Sequence, residues 1–300
     1  MPKFEVLIDG SHLAYRAHHV FRMLRTTTNQ ATGLIYGFLK SLRSLKQRFK
    51  PKGGDLVVFW DDQPIIKKSI FAEYKAHRNK EGFSEFSSQL EILTDILRYL
   101  GVRQARLEFE EADDLISSFI QKYRKDVKKF VIISADKDFL QLVDPQVLVI
   151  KPKMGKKDEV IYSEQKVLDE FGLLPQGIIF LKVFTGDRSD NIPGVSRLPK
   201  KQVVKILKHV SLNGSSTIDQ IYTQLESFDF LTKNQMTKIS DFMEQAYKNF
   251  ELIKLKEYVD VSVNHSDFDA ESLKDSLQML EMFDLLKHFQ QWESLFGAQE

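Results

Sequence analysis

An α/β fold built on a mostly parallel central sheet flanked by helices follows from three features of the sequence. Short apolar, β-branched runs read as strands, and longer stretches with apolar residues three and four apart read as helices. The two kinds alternate before residue 165, and strands separated by helices pair in parallel. The strand residues are nearly all apolar, which fits a sheet covered on both faces.

The first strand is predicted at 4–8 (FEVLI), followed by a helix over 33–47, whose apolar residues recur on one face. A second strand at 56–60 (LVVFW) leads to helices over 87–100 and 112–123. Strands at 130–133 (FVII) and 147–150 (VLVI) complete this region. Beyond Glu164 the pattern turns mostly helical, with helices over 175–184 and 200–209 around the polar loop GDRSDNIPG. Residues 214–264 carry no clear period, whereas 271–296 returns to helical spacing through Leu273, Leu277, Leu280, Phe283 and Leu286. The expected division is an α/β core over 1–165 and a helix-rich region over 166–300.

Of 300 residues, 42% are hydrophobic and 28% charged, enough apolar material for a large core. No apolar run approaches the roughly 18 residues of a membrane span, and the N-terminal apolar run meets Asp9 too soon for a signal peptide. Cysteine is absent, which excludes disulfides and thiolate metal sites, and the seven histidines show no metal or triad spacing. A cytoplasmic protein is expected. The 43 basic and 42 acidic residues cancel, so any polarity lies in their arrangement.

That arrangement is uneven. Three predicted strands each run into an aspartate: FEVLI into Asp9, LVVFW into Asp61, and FVIISA into Asp136, with Asp138 two residues on. Sites in open parallel sheets lie beyond the carboxyl ends of the strands. Neighbouring strands would therefore bring these carboxylates together. Crowded carboxylates cannot all ionise without counter-charge, and hard oxygen ligands without Cys favour Mg²⁺, with Mn²⁺ as substitute, over Zn²⁺. Glu111, Asp113 and Asp114 stand at the start of a predicted helix, where the helix dipole alone would favour acids. Asp187 and Asp190 stand in a loop where turn formation alone would do so. In company with the strand-end acids, both groups become ligand candidates. Asp62 competes with Asp61, which is preferred because it follows the strand more directly.

Basic stretches at 75–80 (KAHRNK), 151–157 (KPKMGKK) and 200–208 (KKQVVKILK) read either as solvated faces or as phosphate contacts. Tyr74, Lys75 and Arg78 combine an aromatic with cations, as stacking on a base while gripping a phosphate requires. Lys200, Lys201 and Lys205 follow a turn near a helix start, a place suited to phosphate.

Taken together, the phrases LIDGSHLAYRA, TGLIYGFLKSL, VVFWD, EYKAHR, QLEILTDILRYLG, EEADDLI, ISADKDFLQLV and TGDRSDNIPGV resemble the 5′ nuclease and flap endonuclease family, in that family's order, over about residues 4–209. The resemblance implies a PIN-like (resolvase-like) core, a helical arch at about 67–95, and a divergent helix-three-turn-helix motif near 175–210. It implies that Asp9, Asp61, Glu111, Asp113 and Asp136 lie nearest the catalytic metal, with Asp114, Asp138, Asp187 and Asp190 completing the acidic pocket. Lys75 and Arg78 would be the basic pair approaching the scissile phosphate, Tyr74 the ring under a terminal base, and Arg16 a further phosphate contact. DNA with free 5′ ends, 5′ flaps or junctions is the implied partner, and an RNA–DNA hybrid is a further substrate it allows. A stand-alone monomer is expected.

Two departures stand out. Where the family has a Gly-hydrophobic-Gly hairpin, often holding a monovalent ion, this chain has Arg197-Leu198-Pro199, so a K⁺ site is not expected. Asp61 also lies one residue closer to Lys75 than the family spacing. The expected chemistry is hydrolysis by two divalent ions roughly 4 Å apart. The competing expectations are a non-catalytic branched-DNA binder of the same fold and a PIN-type ribonuclease.

Overall fold

Apolar strand runs and amphipathic helices appear where the sequence pattern asks for them. The computed structural model describes residues 4–76, 83–153, 158–210, 212 and 216–297. Among these lie six strands: β1 (Phe4–Asp9), β2 (Gly54–Phe59), β3 (Arg103–Ala105), β4 (Phe130–Ile133), β5 (Val147–Lys151) and β6 (Val160–Tyr162). β3 and β6, three residues each, are too short to show a period and were not expected. The chain divides into two compact units, one of Met1–Gln63, Lys80–Ala135 and Glu257–Glu300, the other of Pro64–Asn79 and Asp136–Lys256. This division interleaves along the sequence and crosses the boundary expected near residue 165.

The first unit is built on parallel strands in the order β3-β2-β1-β4. Val6, Leu7, Ile8, Val57, Val58, Phe59 and Ile132 are fully buried, as strands covered on both faces must be. The Gly33–Phe49 helix turns Leu34, Ile35, Phe38, Leu39 and Leu42 inward, the stripe expected of a 3.6-residue period. The Gly10–Val20 helix, absent from the sequence reading, starts directly at the end of β1. Gly10 lets this helix start pack closely against β2, because a Cβ there would lie 2.7 Å from the Phe59 carbonyl oxygen. The C-terminal stretch returns to this unit, with bridges pairing Gln104 with Asn264 and Leu100 with Phe268. Leu273, Leu277 and Leu280 are buried there, whereas Phe283 is 57% exposed.

The second unit is mostly helical apart from the antiparallel pair β5–β6. The Gly177–Thr185 and Lys200–Leu207 helices flank a loop that carries Asp187 and Asp190. The loop closes on itself through Asp187 and Ile192, whose backbone N–H and C=O groups exchange hydrogen bonds of 2.9 and 2.8 Å. Asn249, wholly buried on the Met243–Ile253 helix, donates from Nδ2 to the carbonyls of Val183 (2.8 Å) and Pro193 (2.7 Å), fixing both ends of the loop. Arg197 keeps a left-handed φ of 58°, a conformation glycine would adopt at lower cost, and Pro199 caps the helix that follows. No helix among the described residues is long and apolar enough to cross a membrane.

Candidate metal centre

In the first unit, Asp9 ends β1 and caps the Gly10–Val20 helix, its Oδ1 accepting the His12 N–H at 3.0 Å. Its Oδ2 accepts from the Ser134 hydroxyl at 2.8 Å. Ser134 follows β4, the parallel neighbour of β1, and is completely buried. Asp61 lies just past β2, the neighbour on the other side, and its N–H donates to Ser11 Oγ at 3.0 Å. Carboxylate-bearing positions thus follow the ends of adjacent parallel strands, where ligand sites form in such sheets.

Asp61 Oδ1 accepts the Ala112 N–H at 2.8 Å, which ties it to the start of the Ala112–Tyr123 helix. At that start, Glu111, Asp113 and Asp114 bring one carboxylate oxygen each to within 4.8 Å of one another. Glu111 is 4% and Asp114 1% exposed. Three acids this close are more than a helix dipole calls for. Asp62 points elsewhere: it pairs with Arg106 at 2.9 Å and accepts the Phe109 N–H at 2.9 Å. That N–H, seconded by Arg106, holds the Asp62 carboxyl below the usual range. Arg16, on the Gly10–Val20 helix, is half-buried.

The second unit holds a separate acidic group. Asp138, Asp187 and Asp190 likewise bring carboxylate oxygens to within 4.8 Å of each other. Asp136 joins them, its Oδ1 accepting the Asp138 N–H at 2.9 Å. Lys182, which the sequence reading did not single out, donates from Nζ to Asp138 and, at 2.7 Å, to Asp187. The signal was a lone cation in the otherwise apolar helix that leads into the Asp187 loop. Burial, reinforced by the Asp136 charge, pushes the Asp138 carboxyl up to about 7 even with Lys182 beside it. Burial works against the charge on Lys182, but the three neighbouring carboxylates override it and raise its pKa. Burial likewise acts to raise Asp187, and Lys182 brings it below the ordinary value.

Tyr74 departs from its expected place under a terminal base. It is 1% exposed, with its hydroxyl 3.4 Å from Asp190 Oδ2, because the 71–76 turn packs against the Asp187–Ile192 loop within this unit. Lys75, at a left-handed φ of 54°, donates its N–H to the Asp190 carbonyl at 3.1 Å, and its ammonium lies 3.9 Å from Asp190 Oδ1. Asn191 Nδ2 completes the junction with the Glu73 carbonyl at 3.0 Å. Arg78 lies outside the described residues. Lys200, Lys201 and Lys205 are exposed on the Lys200–Leu207 helix.

Similarity to known proteins agrees with this geometry. Residues 5–172 match the family described as 5′-3′ exonuclease, N-terminal resolvase-like domain, and residues 173–276 match its C-terminal SAM fold. A 5′-3′ exonuclease of Aquifex aeolicus (strain VF5) is 34% identical over 94% of this chain and 93% of its own length. DNA polymerase I of Bacillus subtilis (strain 168) is 31% identical over 88% of this chain, which spans 29% of that longer protein. Among solved structures, a bacteriophage T5 flap endonuclease in complex with DNA and metal ions shares the fold, with a TM-score of 0.64 at 16% identity over 97% of this chain and 98% of that one.

Proposed function

Because the chain belongs to the family of 5′-3′ exonucleases, we propose that it is a structure-specific, divalent-metal-dependent 5′ nuclease acting on free 5′ ends, 5′ flaps and junctions in DNA. The observation that carries this reading is the pair of acidic groups, Glu111–Asp113–Asp114 and Asp138–Asp187–Asp190, each drawn together to within 4.8 Å. Their donors are all carboxylate oxygens, a set that fits Mg²⁺ or Mn²⁺.

On this reading, the first unit holds one ion with Asp9, Asp61, Glu111, Asp113 and Asp114. The second unit holds another with Asp136, Asp138, Asp187 and Asp190. When bound, divalent ions lower the pKa of water and offset charge on a phosphodiester. The protein's part is to hold the carboxylates ready: Ser134 orients Asp9, the Ala112 N–H orients Asp61, and Lys182 offsets the repulsion around Asp138. Tyr74 acts as a positioning residue for Asp190 rather than as a platform for a base. Lys75 and Arg78 bring positive charge toward the scissile phosphate, and Arg16, Lys200, Lys201 and Lys205 contact the backbone of the strands. The α/β part over 1–165 carries most of the candidate ligands, and 166–300 adds Asp187 and Asp190 together with much of the duplex grip. K⁺ plays no part at the Arg197–Pro199 turn. The enzyme works as a monomer in the cytoplasm, and an RNA–DNA hybrid is a second substrate.

Product mapping on an end-labelled 5′-flap duplex, with and without Mg²⁺, tests the reading. We expect Mg²⁺-dependent cleavage near the junction, abolished in Asp136→Ala while flap binding persists. Full activity in that variant, or cleavage that survives chelation, overturns it.

A further inference from the structure

The Glu164–Phe171 helix ends at Gly172, which takes a left-handed φ of 70°. Three lysines from different parts of the second unit gather at this end. The Lys137 ammonium lies 5.7 Å and the Lys200 ammonium 4.8 Å from the centroid of the same Phe171 ring. Lys208 Nζ would stand 3.7 Å from a Cβ placed on Gly172. None of the three forms an ion pair with a carboxylate among the described residues, and Lys137 and Lys200 are both exposed.

A bland account is available for part of this. Cations are favoured at a helix C-terminus, and each ammonium gains from the face of an aromatic ring. Yet the helix end offers only about half an elementary negative charge. Three full positive charges are brought to it, more than the helix end itself offsets, and the Phe171 ring is the apolar floor under Lys137 and Lys200. Such a corner suits an anion that is shared between ammonium groups.

We infer that Lys137 and Lys200, over Phe171, form a seat for one backbone phosphate of the DNA substrate. Lys137 is the new element. It stands between Asp136 and Asp138, so a phosphate held there fixes a strand against the chain segment that carries two candidate metal ligands. Lys137 is thus a positioning residue for the substrate, and the inference rests on the nuclease reading above.

Salt dependence of binding tests it, because each neutralised duplex phosphate contributes a slope of about 0.9 to log Kd against log salt. Binding of a labelled 5′-flap duplex is measured in EDTA over a KCl series for the wild type, K137A, K200A and K137A/K200A. K233A, which removes an exposed lysine elsewhere in the same unit, is the control. The expected result is that the double variant loses about 0.9 of slope, one phosphate's worth, that K137R restores the K137A loss, and that K233A matches the wild type. K137A should also keep wild-type Mn²⁺ affinity, which separates lost phosphate contact from disturbed acids. Slopes unchanged in the double variant, or a loss twice as large from two independent contacts, overturn the shared seat. Wild-type protein that neither binds nor cleaves the flap defeats the nuclease reading itself.

Discussion

The Ser134 hydroxyl donates to Asp9 Oδ2 at 2.8 Å, joining residues 125 positions apart at the ends of two adjacent parallel strands. With Asp9 Oδ1 already taken by the His12 N–H, this bond fixes how the carboxylate is turned. Removing a group that orients a metal ligand typically costs about ten- to a hundredfold in metal affinity. Ser134→Ala should therefore weaken Mn²⁺ binding and raise the Mn²⁺ concentration needed for half-maximal cleavage by that factor, while Ser134→Thr keeps much of it. Calorimetric Mn²⁺ titration decides. An unchanged affinity in the alanine variant would leave Ser134 with a packing role only.

What the sequence shows and hides can be read from the same neighbourhood. Asp9 and Asp61 were legible because an apolar run stops abruptly at or just before each of them, and the run alone announces a strand end. The Glu111–Asp114 group was legible as a helix start. Ser134 and Asn249 were not, because their partners are set by tertiary packing, and Lys182 showed only as a lone cation in an apolar helix, with nothing local to name Asp138 as its partner. Asn249 reaches a carbonyl 66 residues away, and no local period encodes that. Tyr74 was misplaced for the same reason: an aromatic beside two cations looks like an exposed stacking surface until the Asp190 loop covers it. β3 and β6 escaped because three residues are too few to show alternation, and the returning 257–297 stretch because its short helices resemble those of the other unit.

Asp61 and Asp62 are adjacent in sequence but differ in what they touch, which makes them separable by mutation. Asp61 accepts from the N–H of Ala112, amid the acidic group, whereas Asp62 is tied up with Arg106 and the Phe109 N–H. Asp61→Asn should lower kcat by two orders of magnitude or more with flap binding retained, an effect of about 3 kcal/mol or more on the barrier. Asp62→Asn should leave kcat within a few-fold of wild type and act on stability instead. Single-turnover rates at saturating Mg²⁺ separate the two, and the reverse ranking would assign the ligand to Asp62.

Asp138 makes metal-free stability depend on pH in a direction opposite to most carboxylates. Burial, then repulsion from Asp136, lifts its pKa to about 7, above the roughly 3.9 of an unfolded aspartate. The folded state therefore binds the proton more tightly, and the contribution of this group to stability is greatest near pH 4 and falls as pH rises toward 7. In EDTA, the Tm of wild type minus that of Asp138→Asn should decrease across this window. Mn²⁺ should reverse the trend, since metal and proton compete for the same oxygen. A Tm difference that stays flat from pH 4.5 to 7.5 in EDTA would show that Asp138 is ionised throughout.

Away from the acids, Arg103 on β3 reaches the buried Glu5 on β1 and forms an ion pair with Asp55, its Nε 3.1 Å from Oδ2, with Lys46 3.0 Å from the other Asp55 oxygen. Glu5 is 3% exposed, and burial raises its pKa despite Arg103, whereas at Asp55 the two cations outweigh burial and lower it. Removing the cation strands the buried Glu5 charge on β1, so Arg103→Met should cost about 3–5 kcal/mol at pH 7. The loss should shrink toward pH 4, where an unpaired Glu5 takes up a proton and no charge is left to desolvate. Glu5→Met combined with Arg103→Met should recover most of it, because a matched apolar pair replaces the ions. Urea denaturation of the three proteins at both pH values measures this. A penalty of equal size at pH 4 and pH 7, or a double variant as unstable as the single, would mean that Arg103 matters for its packing and not for its charge.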